Sequence, residues 1–392
     1  MKLNSGLIAL SVGAFGIGVT EFAPMGLLPV IAKDLGVSIP AAGLLISAYA
    51  LGVMIGAPLM TLSTGRVPRR TLLIGLAAIF TLGNALSAVS HSYGLLLAAR
   101  ILTSFNHGAF FGVGSIVAAS LVPPHRQAGA VAAMFMGLTI ANVVGVPLAT
   151  WAGESLGWRT SFWGIAGLGV VTMLSLRFTL PDLPAPKGTN AMAELRVLTR
   201  GKVLGALALT VVGSSAMFTV FTYIVPILRE ETHASLGFVT AMLVTYGVGL
   251  TVGNWLGGKF ADRSVDRTLI VTLASLSAIL IAFALLMPQA GPTAVLIFLW
   301  GVASFALVPP LQVQVMSAAA DAPNLASSVN IGAFNLGNAI GAALGGGVIA
   351  AGLGYPAVAL AGAATSALGL VGVLVTNRRP KVAVGPELCG ST

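Results

Sequence analysis

Three ionisable side chains stand in long apolar surroundings, and the chemistry open to them is proton transfer. Glu21 lies in the apolar run from residue 6 to 31 and is the one acidic residue inside any run long enough to cross a bilayer. Arg100 is the one Lys or Arg placed well away from the ends of such a run, and His107 follows it by seven residues, with Asn106 adjacent. Seven residues make two helical turns, so Arg100 and His107 fall on one face. A charge at a bilayer centre costs about 2.5–3.5 kcal/mol on insertion scales, so such a group normally has a partner or a function. A carboxyl held out of water can exchange a proton near neutral pH, and an imidazole titrates there unaided. Each residue also has a plainer reading. Glu21 is then a neutral, hydrogen-bonded side chain. Arg100 pairs with backbone carbonyls or reaches toward the interface. His107 is a packed, neutral hydrogen-bonding group.

The elements that hold these groups must be membrane helices. The chain has 392 residues, 56% of them hydrophobic and only 8% charged. Soluble domains carry about 25% charged residues, so this chain lacks the polar residues to coat a soluble fold. A helix crosses the hydrocarbon core with about 20 apolar residues. Twelve stretches qualify: 6–31, 42–63, 71–90, 94–118, 127–152, 159–180, 203–228, 236–258, 267–287, 292–316, 324–350 and 354–376. The first run reaches Ile31 without a small-residue cleavage pattern, so it reads as a span rather than a signal peptide. The frequent glycines, 49 in all, suit close helix packing in lipid. The 20 prolines favour kinked helices, and Pro309-Pro310 should break the tenth.

Lys and Arg set the expected orientation. With the N-terminus in the cytoplasm, 16 of the 20 fall in cytoplasmic segments, three outside (Lys33, Arg159, Arg229) and one, Arg100, within a helix. Both termini are therefore expected to be cytoplasmic. This asymmetry also accounts for the net charge of +9 without a nucleic-acid partner. The single cysteine, Cys389, excludes an intrachain disulfide.

The two halves repeat. Under a shift of 197 residues, Gly56 falls on Gly253, Arg66 on Arg263, Arg70 on Arg267, Thr71 on Thr268 and Leu72 on Leu269. The same shift pairs Tyr49 with Tyr246, Pro29 with Pro226 and Gly157 with Gly354, and a shift of 196 pairs Asn142 with Asn338. A parallel six-plus-six repeat is a transporter architecture. The expected division is a bundle over 1–180, a cytoplasmic linker over 181–202, a bundle over 203–376 and a tail over 377–392.

The loops after the second and eighth helices carry a family resemblance. Gly258, Asp262, Arg263, Asp266 and Arg267 resemble the Gly-x-x-x-Asp-Arg-x-Gly-Arg-Arg loop of the major facilitator superfamily. The first-half copy keeps Arg66, Arg69 and Arg70, but Gly65 stands where the Asp is expected. Gly137, Gly145 and Pro147 are similar to the fifth-helix Gly-x-x-x-Gly-Pro motif of drug/proton antiporters, with one residue inserted before Pro147. With the Thr20-to-Pro29 segment and the Arg100-to-Gly112 segment, the whole chain resembles the twelve-helix drug/proton antiporter family in its arabinose- and sugar-efflux branch.

The resemblance implies an all-α membrane protein with the major facilitator fold. It implies proton coupling through Glu21 and Arg100, although Thr103 and Ser104 occupy the family's usual Gln-Gly positions. The relay expected of His107 rests instead on its own titration near physiological pH and on the face it shares with Arg100. It implies gating by the loop residues Arg66, Arg69, Arg70, Asp262, Arg263 and Arg267. Polar residues suited to a central cavity are Tyr49, Asn106, Asn142, Tyr223, Gln312, Asn330, Asn335 and Asn338, though an intramembrane Asn is more often interhelical glue. No phosphate loop, metal-spaced Cys/His cluster or nucleophilic triad is visible. The expectation is a monomeric, non-enzymatic secondary transporter of the cytoplasmic membrane, using protons and no cofactor or metal, and exporting a small organic solute such as a sugar or a drug. An uncoupled facilitator, a proton symporter, a membrane-embedded enzyme and a transporter-like sensor are the alternatives.

Overall fold

No water reaches backbone amides in hydrocarbon, so each apolar run must close its own hydrogen bonds as a helix. The structure, a computed structural model, describes residues 4–64, 66–123, 127–182, 197–320 and 323–377. Most of the expected linker and all but the first residue of the tail lie outside the described residues, as do Gly65 and Cys389. Twelve helical spans among the described residues are long and apolar enough to cross a membrane. The first four are α1 (Ser5–Leu35), α2 (Ile39–Ser63), α3 (Arg69–Ala88) and α4 (Tyr93–Ser120). The fifth, α5, runs Gln127–Ile140, a π turn Ala141–Gly145, then Val146–Leu156; α6 is Trp158–Thr179. In the second half α7 runs Gly201–Phe221 then Ile224–Glu230, α8 is Leu236–Ala261 and α9 is Val265–Leu286. The last three are α10 (Ala290–Ala306 then Val308–Ala318), α11 (Pro323–Ala350) and α12 (Gly354–Asn377).

Local chemistry sets the ends and breaks. Asn4, Ser38, Ser92, Ser235 and Ser264 cap α1, α2, α4, α8 and α9, each accepting a first-turn N–H. Gly36, with φ 63°, ends α1 in the left-handed region that favours glycine. The break in α10 falls at Leu307, as Pro309-Pro310 predicts. In α5 the Val146 N–H bonds back to the Ala141 carbonyl, five residues away, just before Pro147, which has no N–H to give. The break at Thr222-Tyr223 in α7 was not expected from the sequence. Its cause is Pro226, whose ring displaces the carbonyl four residues back, at Thr222.

The packing repeats like the sequence. In the first half α1 packs on α5 and α6, α2 on α4, and α3 on α4 and α6. In the second half α7 packs on α11 and α12, α8 on α10, and α9 on α10 and α12. Between the halves α2 lies along α11 and α5 along α8. Ser47 Oγ donates to the Ala339 carbonyl at 3.0 Å in the first crossing. In the second, a Cβ on Gly247 would fall 2.5 Å from the Asn142 carbonyl oxygen. Residues 142 and 339 are 197 apart, so one backbone position serves both crossings. The outside of the bundle is apolar: Phe178, Trp255, Leu285 and Leu368 are all exposed. That is the surface a lipid solvent requires.

Candidate functional site

The three sequence-predicted ionisable groups meet inside the first half. Glu21 on α1 and Arg100 and His107 on α4 are 4%, 1% and 4% exposed. Arg100 Nη1 reaches from α4 to α1, donating to the Thr20 carbonyl at 2.8 Å and to Thr20 Oγ1 at 3.3 Å. The Thr20 hydroxyl donates in turn to Asn84 Oδ1 on α3 at 2.6 Å. The Arg100 guanidinium lies over the Tyr49 ring, 4.1 Å from its centroid. Tyr49 comes from α2, and its hydroxyl is 3.1 Å from His107 Nδ1. On the other side of that imidazole, His107 Nε2 is 3.9 Å from Glu21 Oε2.

The geometry therefore forms a chain from the Tyr49 hydroxyl through the imidazole to the Glu21 carboxyl. The first step is within hydrogen-bond reach and the second needs a closure of under an ångström to become a hydrogen bond. Arg100 bonds the carbonyl of Thr20, the residue before Glu21, so a positive charge sits in the same buried cluster as the carboxyl and limits the cost of ionising it out of water. Arg100 Nε and Nη2 have no hydrogen-bond partner among the described residues. An Arg with donors to spare can change partner when its neighbour changes charge.

The other expected residues have diverse placements. Tyr49, expected as cavity wall, is engaged in this cluster. Asn106 donates to the Thr103 carbonyl at 2.5 Å and Asn142 to the Leu138 carbonyl at 3.0 Å, both within their own helices. The Tyr223 hydroxyl donates to the Ala342 carbonyl at 2.7 Å. Gln312, Asn330 and Thr210 form a polar knot of α10, α11 and α7, with Asn330 and Thr210 buried, Thr210 Oγ1 to Asn330 Oδ1 at 2.7 Å and Asn330 Nδ2 to Gln312 Oε1 at 2.6 Å. Asn335 donates to the Ile331 carbonyl, whereas Asn338 has no partner at either polar atom among the described residues. Gly137 brings α5 against the α1 backbone at Ser11 and Phe15, and Gly145, two residues before Pro147, brings it against Val19.

In the loops, Arg70 pairs at 2.5 Å with Asp182, at the start of the linker, and donates to the Leu180 carbonyl at 3.2 Å, so neither contact reaches the second half. Arg66, Asp262, Arg263 and Arg267 are exposed, Arg69 is half-buried, and no ion pair joins Asp262 or Arg263 to another described residue. An ion pair does join the halves, but at the end opposite the termini: Arg229 Nη2 is 2.8 Å from Glu154 Oε2.

Sequence reasoning missed Thr20 and Asn84, and it missed an aromatic centre. Phe22, next to Glu21, stacks on Phe218 of α7 at 6.1 Å and meets Phe221 edge-on at 6.3 Å. Phe221 stacks on Tyr246 of α8 at 4.4 Å, and Phe218 meets Phe334 of α11 at 5.5 Å. These rings lie on four helices and share no spacing along the chain, so only tertiary packing assembles them. Phe22, Asn142, Phe218, Phe221, Tyr246 and Phe305 line a small pocket between the halves.

The sequence model of the Major Facilitator Superfamily matches residues 10–330 and, in a second match, residues 207–388. The chain belongs to the major facilitator superfamily. Within the superfamily it is 59% identical over 379 residues to the inner membrane transport protein YdhP of Escherichia coli K12, covering 97% of each chain. It is 34% identical over 343 residues to a chloramphenicol resistance protein of Streptomyces lividans, covering 86% of each. The crystal structure of a D-xylose-proton symporter superposes with a TM-score of 0.76 at 15% identity, covering 95% of this chain and 97% of that one. At that identity the likeness shows the major facilitator fold and nothing finer. The chain is accordingly a membrane transporter and not an enzyme.

Proposed function

We propose that this transporter exports a small organic solute across the cytoplasmic membrane in exchange for protons, by rocking of its two six-helix halves, with both termini on the cytoplasmic side. Glu21 is the coupling carboxylate, His107 relays its proton and Arg100 compensates its charge. One observation carries the reading. Glu21 is buried within a short gap of His107, and its neighbour Phe22 stacks on Phe218 of the other half. A change of charge at Glu21 is thus felt at the seam that must open and close. YdhP, an inner membrane transport protein, supports transport across the cytoplasmic membrane, and the chloramphenicol resistance protein supports export of a small solute. The repeated loop with Asp262 and Arg263 contributes the inner gate.

The test uses purified protein in proteoliposomes with an imposed pH gradient and a panel of chloramphenicol and neutral sugars. Proton entry coupled to exit of one of these solutes is the expected result. Solute and protons moving in the same direction would replace exchange by symport. Movement indifferent to the gradient would replace it by facilitation.

A further inference from the structure

Asn338 stands out among the buried amides. It is 1% exposed, and neither its Nδ2 nor its Oδ1 has a hydrogen-bond partner among the described residues. Burying an unpaired carboxamide is costly, and other buried Asn side chains here avoid part of that cost. Asn142 and Asn335 each bond a carbonyl one turn back, and Asn330 bonds across helices.

The helix places this amide inward. Ile340, Ala343 and Gly347 are exposed on the lipid side of α11, and residue 338 falls on the opposite side at 100° per residue. Its level along α7 is fixed by two close approaches. A Cβ on Gly337 would lie 3.0 Å from the Ser215 nitrogen, and one on Gly341 would lie 2.6 Å from the Ser215 oxygen. Asn338 is therefore level with Ser215, whose buried Oγ also has no partner among the described residues. One turn from Asn338, Phe334 shares its face and meets Phe218 edge-on at 5.5 Å. One turn from Ser215 lies Phe218 itself. Two unpaired polar groups thus sit beside an aromatic wall that extends through Phe22 to the Glu21 segment.

We propose that Asn338 and Ser215 form the substrate-reading subsite, and that it takes a neutral solute. The carboxamide offers a donor and an acceptor side by side. Its complement is a group with both, such as an amide or a diol, next to a ring or sugar face that packs on Phe218 and Phe334. No charged side chain is among these groups, so an ion finds no counter-charge there. The subsite is covered in this structure and is reached when the halves separate. The proposal rests on the reading of the chain as an exporter of a small organic solute, but it does not depend on proton coupling.

Equilibrium binding to the purified full chain tests it, with chloramphenicol (neutral, with an amide, hydroxyls and an aromatic ring), a neutral sugar, and the lipophilic cation tetraphenylphosphonium as probes. Wild-type protein should bind at least one neutral probe. Asn338→Leu should weaken that binding about tenfold, the worth of a net hydrogen bond or two, and Ser215→Ala should weaken it severalfold. Binding of tetraphenylphosphonium, if any, should change less than twofold. Asn338→Leu should also leave the melting temperature in detergent unchanged or raise it, because an unpaired buried amide contributes nothing to the fold. The proposal is overturned if neither neutral probe binds wild type, if their binding is unchanged in Asn338→Leu, or if the variant loses thermal stability. Glu21→Gln should retain neutral-probe binding while losing proton coupling, so the two ideas fail separately.

Discussion

Arg100 Nη1 donates to the backbone carbonyl of Thr20 at 2.8 Å, which ties α4 to α1 one residue before Glu21. The same guanidinium lies over the Tyr49 ring. A planar fork serves both contacts, whereas an ammonium is a point charge on a flexible stem. Arg100→Lys should therefore fold but lose the fixed geometry. Its proton-coupled transport in proteoliposomes should fall at least about tenfold, with the melting temperature nearly kept. Wild-type rates in Arg100→Lys would show that only the charge matters.

Gly137 tests how closely α5 must approach α1. A side chain there meets the Ser11 carbonyl and the Phe15 nitrogen, which are backbone and cannot swing aside. Gly137→Val should cost about 1–3 kcal/mol or more as overpacking, seen as a lower melting temperature in detergent. Gly164→Ala is the control. That glycine is exposed and a Cβ there meets nothing within 4 Å, so the change should be neutral or stabilising by up to about 1 kcal/mol through helix propensity.

The Glu154–Arg229 pair joins the halves at the end opposite the termini, with Glu154 largely buried at 14%. Removing one partner leaves an uncompensated charge, so Glu154→Gln should loosen that end. A cysteine placed at Phe22, in a Cys389→Ser background, should then react severalfold faster with a thiol reagent added on that side. The swapped pair Glu154→Arg with Arg229→Glu should restore the slow rate. Equal labelling in all three proteins would show that the pair does not hold the halves together.

Arg70–Asp182 is a weaker contact despite its 2.5 Å distance, because Asp182 is 86% exposed. Exposed pairs contribute about 0–1 kcal/mol. Asp182→Asn should leave the melting temperature within a degree or two. A large drop would mean that the loop after α2 depends on this pair for its fold.

Much of this was legible in the sequence because lipid imposes simple rules. Apolar length located all twelve spans within a few residues of their observed ends. Pro309-Pro310 announced the break in α10, and the seven-residue spacing put Arg100 and His107 beside the same tyrosine. What stayed hidden depends on contacts between helices. Nothing near Thr222 marks a break until Pro226 is weighed against its fourth neighbour. Thr20 and Asn84 resemble any polar residue in a span until Arg100 arrives from α4. Asn338 resembles Asn142 in sequence, and only their hydrogen bonds distinguish them.

The most direct test of the central claim is the proton movement that accompanies solute export in proteoliposomes carrying Glu21→Gln. The account predicts that this variant remains folded and binds solute, but that its solute-driven proton flux disappears. Full coupling in Glu21→Gln, with wild-type flux in both directions, would contradict it.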